Sequence, residues 1–171
     1  AQPMSPEKYI KEKARMLPLG MCYTYANWED ADEITVIVTR IHPKGTVTCA
    51  YFCIDKLCRG LIRTRYFFNV SPRKLAEIVE YYSDKENDRM VEISYEVAHN
   101  LIYGSIEFAE EAGIEPVDAW DITQYILEED DDNVPLIEYQ WGLNGMHYLL
   151  AEDRLEVSCY LSTMQEHLGR N

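Results

Sequence analysis

Two runs of β-branched and aromatic residues, 34–41 and 46–54, lie on either side of a short segment, 42–45, that contains one proline and one glycine. Residues of these types favour extended backbone, and a four-residue link of this composition is typical of a hairpin loop. A third run of the same kind, 61–68, begins after the break at Gly60. The three runs predict an antiparallel β-meander, around which the rest of the chain must pack.

Helical periodicity marks the segments outside the meander. Ser-Pro pairs at 5–6 and 71–72 each supply an N-cap and a first-turn proline, and apolar residues follow both pairs at helical spacing. A longer helix is predicted over 91–112, where a glycine stops it. Further helical patterns begin at 118 and 156, so the sequence predicts between three and five helices.

A second hairpin is predicted near the C-terminus. Residues 134–141 and 146–150 flank an Asn-Gly pair, which suits a tight turn, and residues 22–25 are predicted to form a further brief strand. Strands come first, helices follow and strands return, an order that favours segregated layers over a parallel βαβ sheet. The predicted fold class is α+β, an antiparallel sheet packed against helices, in one domain spanning 1–171.

Charge is distributed unevenly along the chain around a net value of −14. Residues 56–74 carry six basic and no acidic side chains, whereas residues 75–171 carry four basic and 23 acidic ones. A negative field of this size repels nucleic-acid phosphates and anionic lipid surfaces, so general nucleic-acid binding and membrane binding are not expected. We expect instead a basic protein partner for the acidic half of the chain.

The cysteines and the N-terminus predict a cytoplasmic location. Five cysteines occur without any Cys-x-x-Cys pair, which argues against a disulfide framework and against a zinc ribbon. The sequence contains neither a signal-peptide pattern nor an apolar run of membrane length. Ala1-Gln2-Pro3 precede Met4 and are either a fusion remnant or a natural or processed N-terminus.

No metal site and no cofactor are expected from the motifs. The four histidines form no His-Glu-x-x-His motif. A calcium loop that began at Asp130 would need Asp or Asn where Val134 stands and Gly where Pro135 stands. Walker, dinucleotide-binding and Gly-x-Ser-x-Gly motifs are also missing, so the acidic run 128–132 is interpreted as a solvated loop.

Arg63 and Arg65 are the first candidate ligand-binding residues. In a strand they share one face with Leu61 and Phe67. Two guanidinium groups beside an aromatic ring would then bind a carboxylate or phosphate. The alternative is that both arginines pair with the chain's own surplus of acids on the solvent face of the sheet. Such surface pairs contribute roughly 0 to 1 kcal/mol each.

Cys58, His99 and Asp55 are the candidate catalytic residues. A thiol nucleophile needs a histidine within hydrogen-bond reach and a third group that orients the ring. The sequence contains the three residue types but does not give their distances. The alternative is a buried Cys58 at a strand junction and a half-exposed His99 on a helix, with no chemical role for either.

Residues 47–64 contain an apolar strand, then Asp-x-x-Cys-x-Gly and a second strand, and residues 98–109 begin Ala-His-Asn-Leu-Ile-Tyr-Gly. Both stretches resemble an uncharacterised family of small bacterial proteins, over about 34–150, and the resemblance implies a shared fold without an activity. Family members carry Pro-His-x-Asp after the long helix, where this chain has Pro116-Val117-Asp118. The matching residues are Asp55, Cys58, Gly60, His99, Tyr103 and Gly104, and Tyr103 is added to the ligand-binding candidates.

Function is predicted from the charge and from the missing catalytic motifs. The sequence predicts a non-catalytic binding or regulatory domain whose acidic surface contacts a basic protein. One alternative is a small thiol- or His-dependent hydrolase that uses Cys58 or His99, with Arg63 and Arg65 as an anion clamp. Another alternative is a structural subunit of a homo-oligomer, in which exposed aromatic residues form the interface.

Overall fold

The centre of the fold is a five-stranded antiparallel sheet. A computed structural model describes residues 3–150 and 154–169, and its strands are β1 Cys22–Tyr25, β2 Glu33–Ile41, β3 Val47–Asp55, β4 Gly60–Val70 and β5 Met90–Ile93. Their spatial order is β4-β3-β2-β1-β5, and every neighbouring pair is antiparallel. Strands β1 to β4 therefore form a meander, and β5 joins at the edge opposite β4.

Helices cover the sheet and connect its edges. Within the described ranges they are α1 Pro6–Lys13, α2 Pro72–Lys85, α3 Tyr95–Glu111, α4 Trp120–Thr123 and α5 Arg154–Leu168, with 3₁₀ turns at Ala14–Met16 and Gln124–Ile126. The hydroxyls of Ser5, Ser71 and Ser94 accept first-turn N–H groups of α1, α2 and α3, which fixes where these helices begin. None of the helices in these ranges has the length and apolar character of a membrane-spanning segment.

Side-chain alternation gives the sheet two unlike faces. The packed face carries fully buried apolar residues such as Val36 and Phe52, and α3 and α4 lie against it. The open face carries Tyr51 and Cys53 of β3, and α2 covers part of it through Tyr82, whose ring lies 4.9 Å from that of Tyr51. Burial of a large apolar side chain stabilises the fold by roughly 1.5 to 3 kcal/mol, so the packed face supplies most of the core.

The α+β class and the antiparallel sheet packed against helices are confirmed. The predicted strand over 22–25 is also present, as β1. The predicted helix over 91–112 begins too early, because Met90–Ile93 pairs with β1 as strand β5 and the cap at Ser94 starts α3 afterwards. Residues 1–2 and the predicted end of the last helix, 170–171, lie outside the described residues.

The predicted C-terminal hairpin is wrong in its strands and right in its turn. Asn144 and Gly145 have φ angles of 54° and 79°, as a tight hairpin turn requires. Around them a single bridge joins Leu143 to Met146, and the rest of 134–150 is irregular.

Apart from that bridge, backbone groups of this segment bond to other parts of the protein. The Asn100 side chain donates to one carbonyl and accepts one N–H within 135–137. The N–H groups of Gly142 and Tyr148 donate to carbonyls at 56–57, in the turn between β3 and β4. These tertiary partners satisfy the backbone groups that a hairpin would have paired.

Candidate functional site

A groove of about 500 Å³ lies on the open face, between α2 and strands β3 and β4. We call it the open-face groove. This volume is typical of small-ligand sites, which span roughly 300 to 1,000 Å³. The residues that line it are mostly aromatic, basic or acidic: Thr35, Tyr51, Cys53, Arg63, Arg65, Phe67, Lys74, Glu77, Ile78, Tyr81, Tyr82, Lys85 and Glu86.

Arg63 and Arg65 lie side by side in the groove, at successive open-face positions of β4. On the neighbouring strand β3, Arg63 pairs with Cys53 and Arg65 pairs with Tyr51. The Arg63 Nη2 atom is 3.3 Å from the Cys53 sulfur, and the Arg65 guanidinium lies over the Phe67 ring, 4.8 Å from its centroid. Both side chains are thus held by uncharged neighbours, which orient the guanidinium groups without neutralising them.

Neither arginine has a carboxylate within 4 Å among the described residues. Other arginines of this acidic chain do find partners: Arg15 pairs with Glu129, and Arg40 pairs with Glu128. The alternative expected from the sequence, that Arg63 and Arg65 pair with the chain's own acids, is therefore not what the structure contains.

Helix α2 adds groove residues that sequence reasoning missed. Lys74, Tyr81 and Lys85 line the wall of the groove, and the Tyr81 side chain is 59% exposed. Glu77 lines the same wall and pairs with Lys74 at 3.9 Å. The spacing 74, 78, 81 and 85 could have indicated them. It places these side chains along one side of a helix, next to the apolar side chains that pack on the sheet.

Asp55 is a structural residue in the turn between β3 and β4. Its carboxylate accepts hydrogen bonds from the backbone N–H groups of Leu57, at 2.9 Å, and Arg59, at 3.0 Å. The Arg59 side chain also donates to it, at 2.9 Å. Gly60 ends the turn with a φ of 67°. The Asp-x-x-Cys-x-Gly motif is thus explained by turn geometry.

Cys58 is fully buried in the same turn. Its sulfur lies 3.7 Å from the Met164 sulfur of α5, and it packs with Ala109 of α3 and with Ala112, which caps the C-terminus of that helix. Burial, together with the nearby Asp55 charge, raises the pKa of the Cys58 thiol to about 12. The thiolate that nucleophilic catalysis needs is therefore not formed near neutral pH.

His99 lies on α3, far from Cys58. Its ring packs between Tyr95 and Tyr103, with its Nδ1 atom 2.9 Å from the Tyr95 hydroxyl. Ala109, which contacts Cys58, is ten residues further along α3, or roughly 15 Å at 1.5 Å per residue. The structure does not bring Cys58 and His99 together, and the expected half-exposed His99 is in fact buried.

One nitrogen of the His99 ring has no hydrogen-bond partner among the described residues. The Tyr95 hydroxyl accepts from the Glu128 N–H and can donate its own proton to His99 Nδ1, and in that arrangement the proton of the neutral ring is on Nε2. The Nε2 atom is buried, has no hydrogen-bond partner among the described residues, and lies 3.8 Å from Asp130 Oδ1. Burial lowers the pKa of His99, so the neutral ring is favoured.

Tyr103 does not share the groove with the two arginines. It lies on α3, where its hydroxyl donates to the Glu128 carbonyl at 3.3 Å and its ring contacts Trp120. Burial raises its pKa to about 12. Of the three ligand-binding candidates, the structure brings together Arg63 and Arg65 and leaves Tyr103 on the packed side of the sheet.

Cysteine labelling tests this assignment of the thiols. In the native protein near pH 8, a disulfide reagent is expected to react rapidly at Cys159, which is exposed, and slowly at the four buried cysteines. Stopped-flow absorbance counts the fast thiols, and labelling after denaturation counts all five. The Cys159→Ser variant is the control. A fast phase that survives in this variant would show that a buried thiol, such as Cys58, is reactive after all.

No protein-family model, curated protein or solved structure matches this chain. The resemblance to a family of small bacterial proteins therefore stays a prediction.

Proposed function

We propose that this protein is a non-catalytic binding domain that takes an anionic ligand in the open-face groove. The observation that carries the proposal is the pair Arg63 and Arg65, which line a groove of about 500 Å³ and have no carboxylate within 4 Å in the described ranges of the chain. In a chain of net charge −14, two adjacent arginines without an acidic partner in the described residues are an unusual concentration of positive charge. Their charge is available to a ligand.

The chemistry of the groove favours a carboxylate or phosphate ligand. An arginine fork donates two parallel N–H groups to either anion, and Lys85 adds a further positive charge from α2. The Tyr51, Tyr81 and Tyr82 rings give the ligand an apolar surface beside the charged one. Cys53, the thiol in the groove, has its pKa raised to about 11 by burial, which supports binding over catalysis.

Anion titrations test the proposal. Pyrophosphate and succinate are expected to bind the wild-type protein, and Arg63→Gln or Arg65→Gln to weaken binding about tenfold, because a hydrogen bond to a charged group contributes about 1.5 to 3 kcal/mol. Isothermal titration calorimetry at low and at about 0.5 M salt measures both the affinity and its expected loss on screening.

Arg89→Gln is the matched control for these titrations. Arg89 is exposed and outside the groove, so this variant removes the same charge from the protein without touching the site. Thermal melts of all variants check that each is folded. Equal affinity of the wild type and an Arg63→Gln/Arg65→Gln double variant would contradict the proposal.

A basic partner, a homo-oligomer and a cytoplasmic location are further proposals, carried by the sequence. Among the described residues of 75–171, five acids pair with a lysine or arginine: Glu77 with Lys74, Asp121 with Lys11, Glu128 with Arg40, Glu129 with Arg15, and Glu156 with Arg59. Other acids, such as Glu110 and Asp118, have no cation within 4 Å in the described part of the chain and keep the surface negative. The acidic surface is less direct evidence for a basic partner than the arginine pair is for an anionic ligand.

A further inference from the structure

The open-face groove is bounded on one side by an edge strand. Strand β4 spans Gly60–Val70, and β3 is its neighbour in the sheet. In the described part of the chain, its other edge makes no backbone hydrogen bond to any loop or helix. An eleven-residue edge of this kind presents a row of N–H and C=O groups that another strand can pair with.

A second copy of this chain is a poor occupant of that edge. Antiparallel pairing of β4 with itself would bring the arginines of the two copies close together on the same face. Like charges opposite each other destabilise a strand pair, and charged side chains on an edge are a recognised guard against self-pairing. The same charges attract a strand of opposite sign.

We propose that Arg63 and Arg65 bind an extended acidic peptide that adds to the free edge of β4 as a sixth strand. This inference rests on the proposed function, because it names the partner that the arginines bind. Side chains on a strand recur on one face every second residue, at roughly 6.6 to 6.8 Å. Carboxylates at alternate positions of the peptide therefore match the repeat of Arg63 and Arg65.

The two faces of β4 define what the intervening peptide residues should be. On the packed face, Tyr66 and Phe68 are half-buried, and the Phe68 ring lies 5.3 Å from that of Tyr9. An added strand would set its other side chains beside these rings, where apolar residues fit best. The proposed ligand thus alternates acidic residues toward the groove with β-branched residues toward the packed face.

Helix α2 forms the opposite wall of the groove. An added strand would lie beyond β4, on the side away from β3 and α2, so its acidic side chains would meet Arg63 and Arg65 from the edge of the sheet, and Lys85 would add a positive charge at longer range across the groove. Sheet extension next to a helix combines main-chain hydrogen bonds for affinity with side-chain pockets for specificity. The apolar surface of Tyr81 is also within this wall.

Three labelled peptides test the inference by fluorescence anisotropy. The probe is acetyl-Thr-Val-Glu-Val-Glu-Val-Thr-amide, and two analogues carry N-methyl groups, one on the glutamate amides and one on the valine amides. Alternate N–H groups of a strand point to opposite edges, so β4 can use one of the two sets. We expect one analogue to bind at least tenfold more weakly than the probe and the other to bind within about threefold.

The protein variants separate this inference from the anion proposal. Arg63→Gln/Arg65→Gln is expected to weaken both the peptide and pyrophosphate at least tenfold, with Arg89→Gln unchanged. Equal binding of both methylated analogues, or pyrophosphate binding without peptide binding, would overturn sheet extension and leave the anion groove standing. Failure of pyrophosphate and peptide together would overturn both. A protein that sediments as a dimer and does not bind the peptide would overturn the acidic peptide and favour a second copy on this edge instead.

Discussion

Replacing Arg40 with methionine is expected to lower the free energy of unfolding by about 3 kcal/mol or more. Arg40 is 1% exposed and lies on the packed face of β2. Its Nε atom donates to the Ile126 carbonyl and its Nη1 atom donates to the Leu17 carbonyl, both at 2.8 Å. Methionine fills much of the volume but leaves both carbonyls without these donors, at about 1 to 3 kcal/mol each.

The ion pair of Arg40 contributes less to this loss than the two carbonyls do. The carboxylate of Glu128 is 3.4 Å from the guanidinium, and its side chain is 42% exposed, so water can solvate it once the arginine is gone. Lys11→Met is the matched control, since it removes a cation from the exposed pair with Asp121 and should cost less than about 1 kcal/mol. Urea unfolding followed by circular dichroism measures both. Equal losses for Arg40→Met and Lys11→Met would disprove the argument.

Gly60→Ala is the second change expected to have a large effect, at about 3 kcal/mol. Gly60 has a φ of 67°, where a side chain costs roughly 1 to 2 kcal/mol. An added Cβ would also lie 2.7 Å from the Ser105 carbonyl oxygen and 2.8 Å from the Ala109 Cβ, both on α3. Overpacking of this kind typically costs 1 to 3 kcal/mol more, because the helix must move away from the strand.

Gly45→Ala separates the cost of a side chain at positive φ from the cost of the contact with α3. Gly45 also has a positive φ, 94°, but an added Cβ would meet nothing within 4 Å. This variant is expected to lose about 1 kcal/mol from backbone strain alone. Thermal and urea unfolding of both variants give the difference, which measures the contact between β4 and α3. A Gly60→Ala protein no less stable than Gly45→Ala would show that α3 yields at this contact.

The strands β1 to β4 could be predicted because their signal is local. Residue type and alternation decide whether a segment favours extended backbone, and the 42–45 loop fixes the hairpin between β2 and β3. Strand β5 and the irregular segment 134–150 could not be predicted in the same way. Met90–Ile93 becomes a strand because β1 offers a free edge, and 134–150 stays irregular because the Asn100 side chain and the 56–57 carbonyls bond its backbone.

The residues of the candidate site also divide into those that local sequence could place and those that depend on tertiary packing. Arg63 and Arg65 were placed on one face by strand alternation, and the structure has them side by side. The distance between Cys58 and His99 depended on how a turn and a helix pack, and the structure holds them apart. Tyr81 lines the groove because of the way α2 packs on the sheet, and the sequence alone does not give that packing.

The sequence by itself determined the meander, the helices capped by Ser5 and Ser71 and the shared face of the two arginines. Each of these follows from residue type and periodicity within a few positions along the chain. Only the tertiary structure decided that Asp55 holds a turn, that Cys58 is buried, and that Arg63 and Arg65, beside an open strand edge, have no carboxylate partner among residues 3–150 and 154–169. Burial and ion pairing join residues far apart in the chain, so they depend on packing that local sequence does not encode.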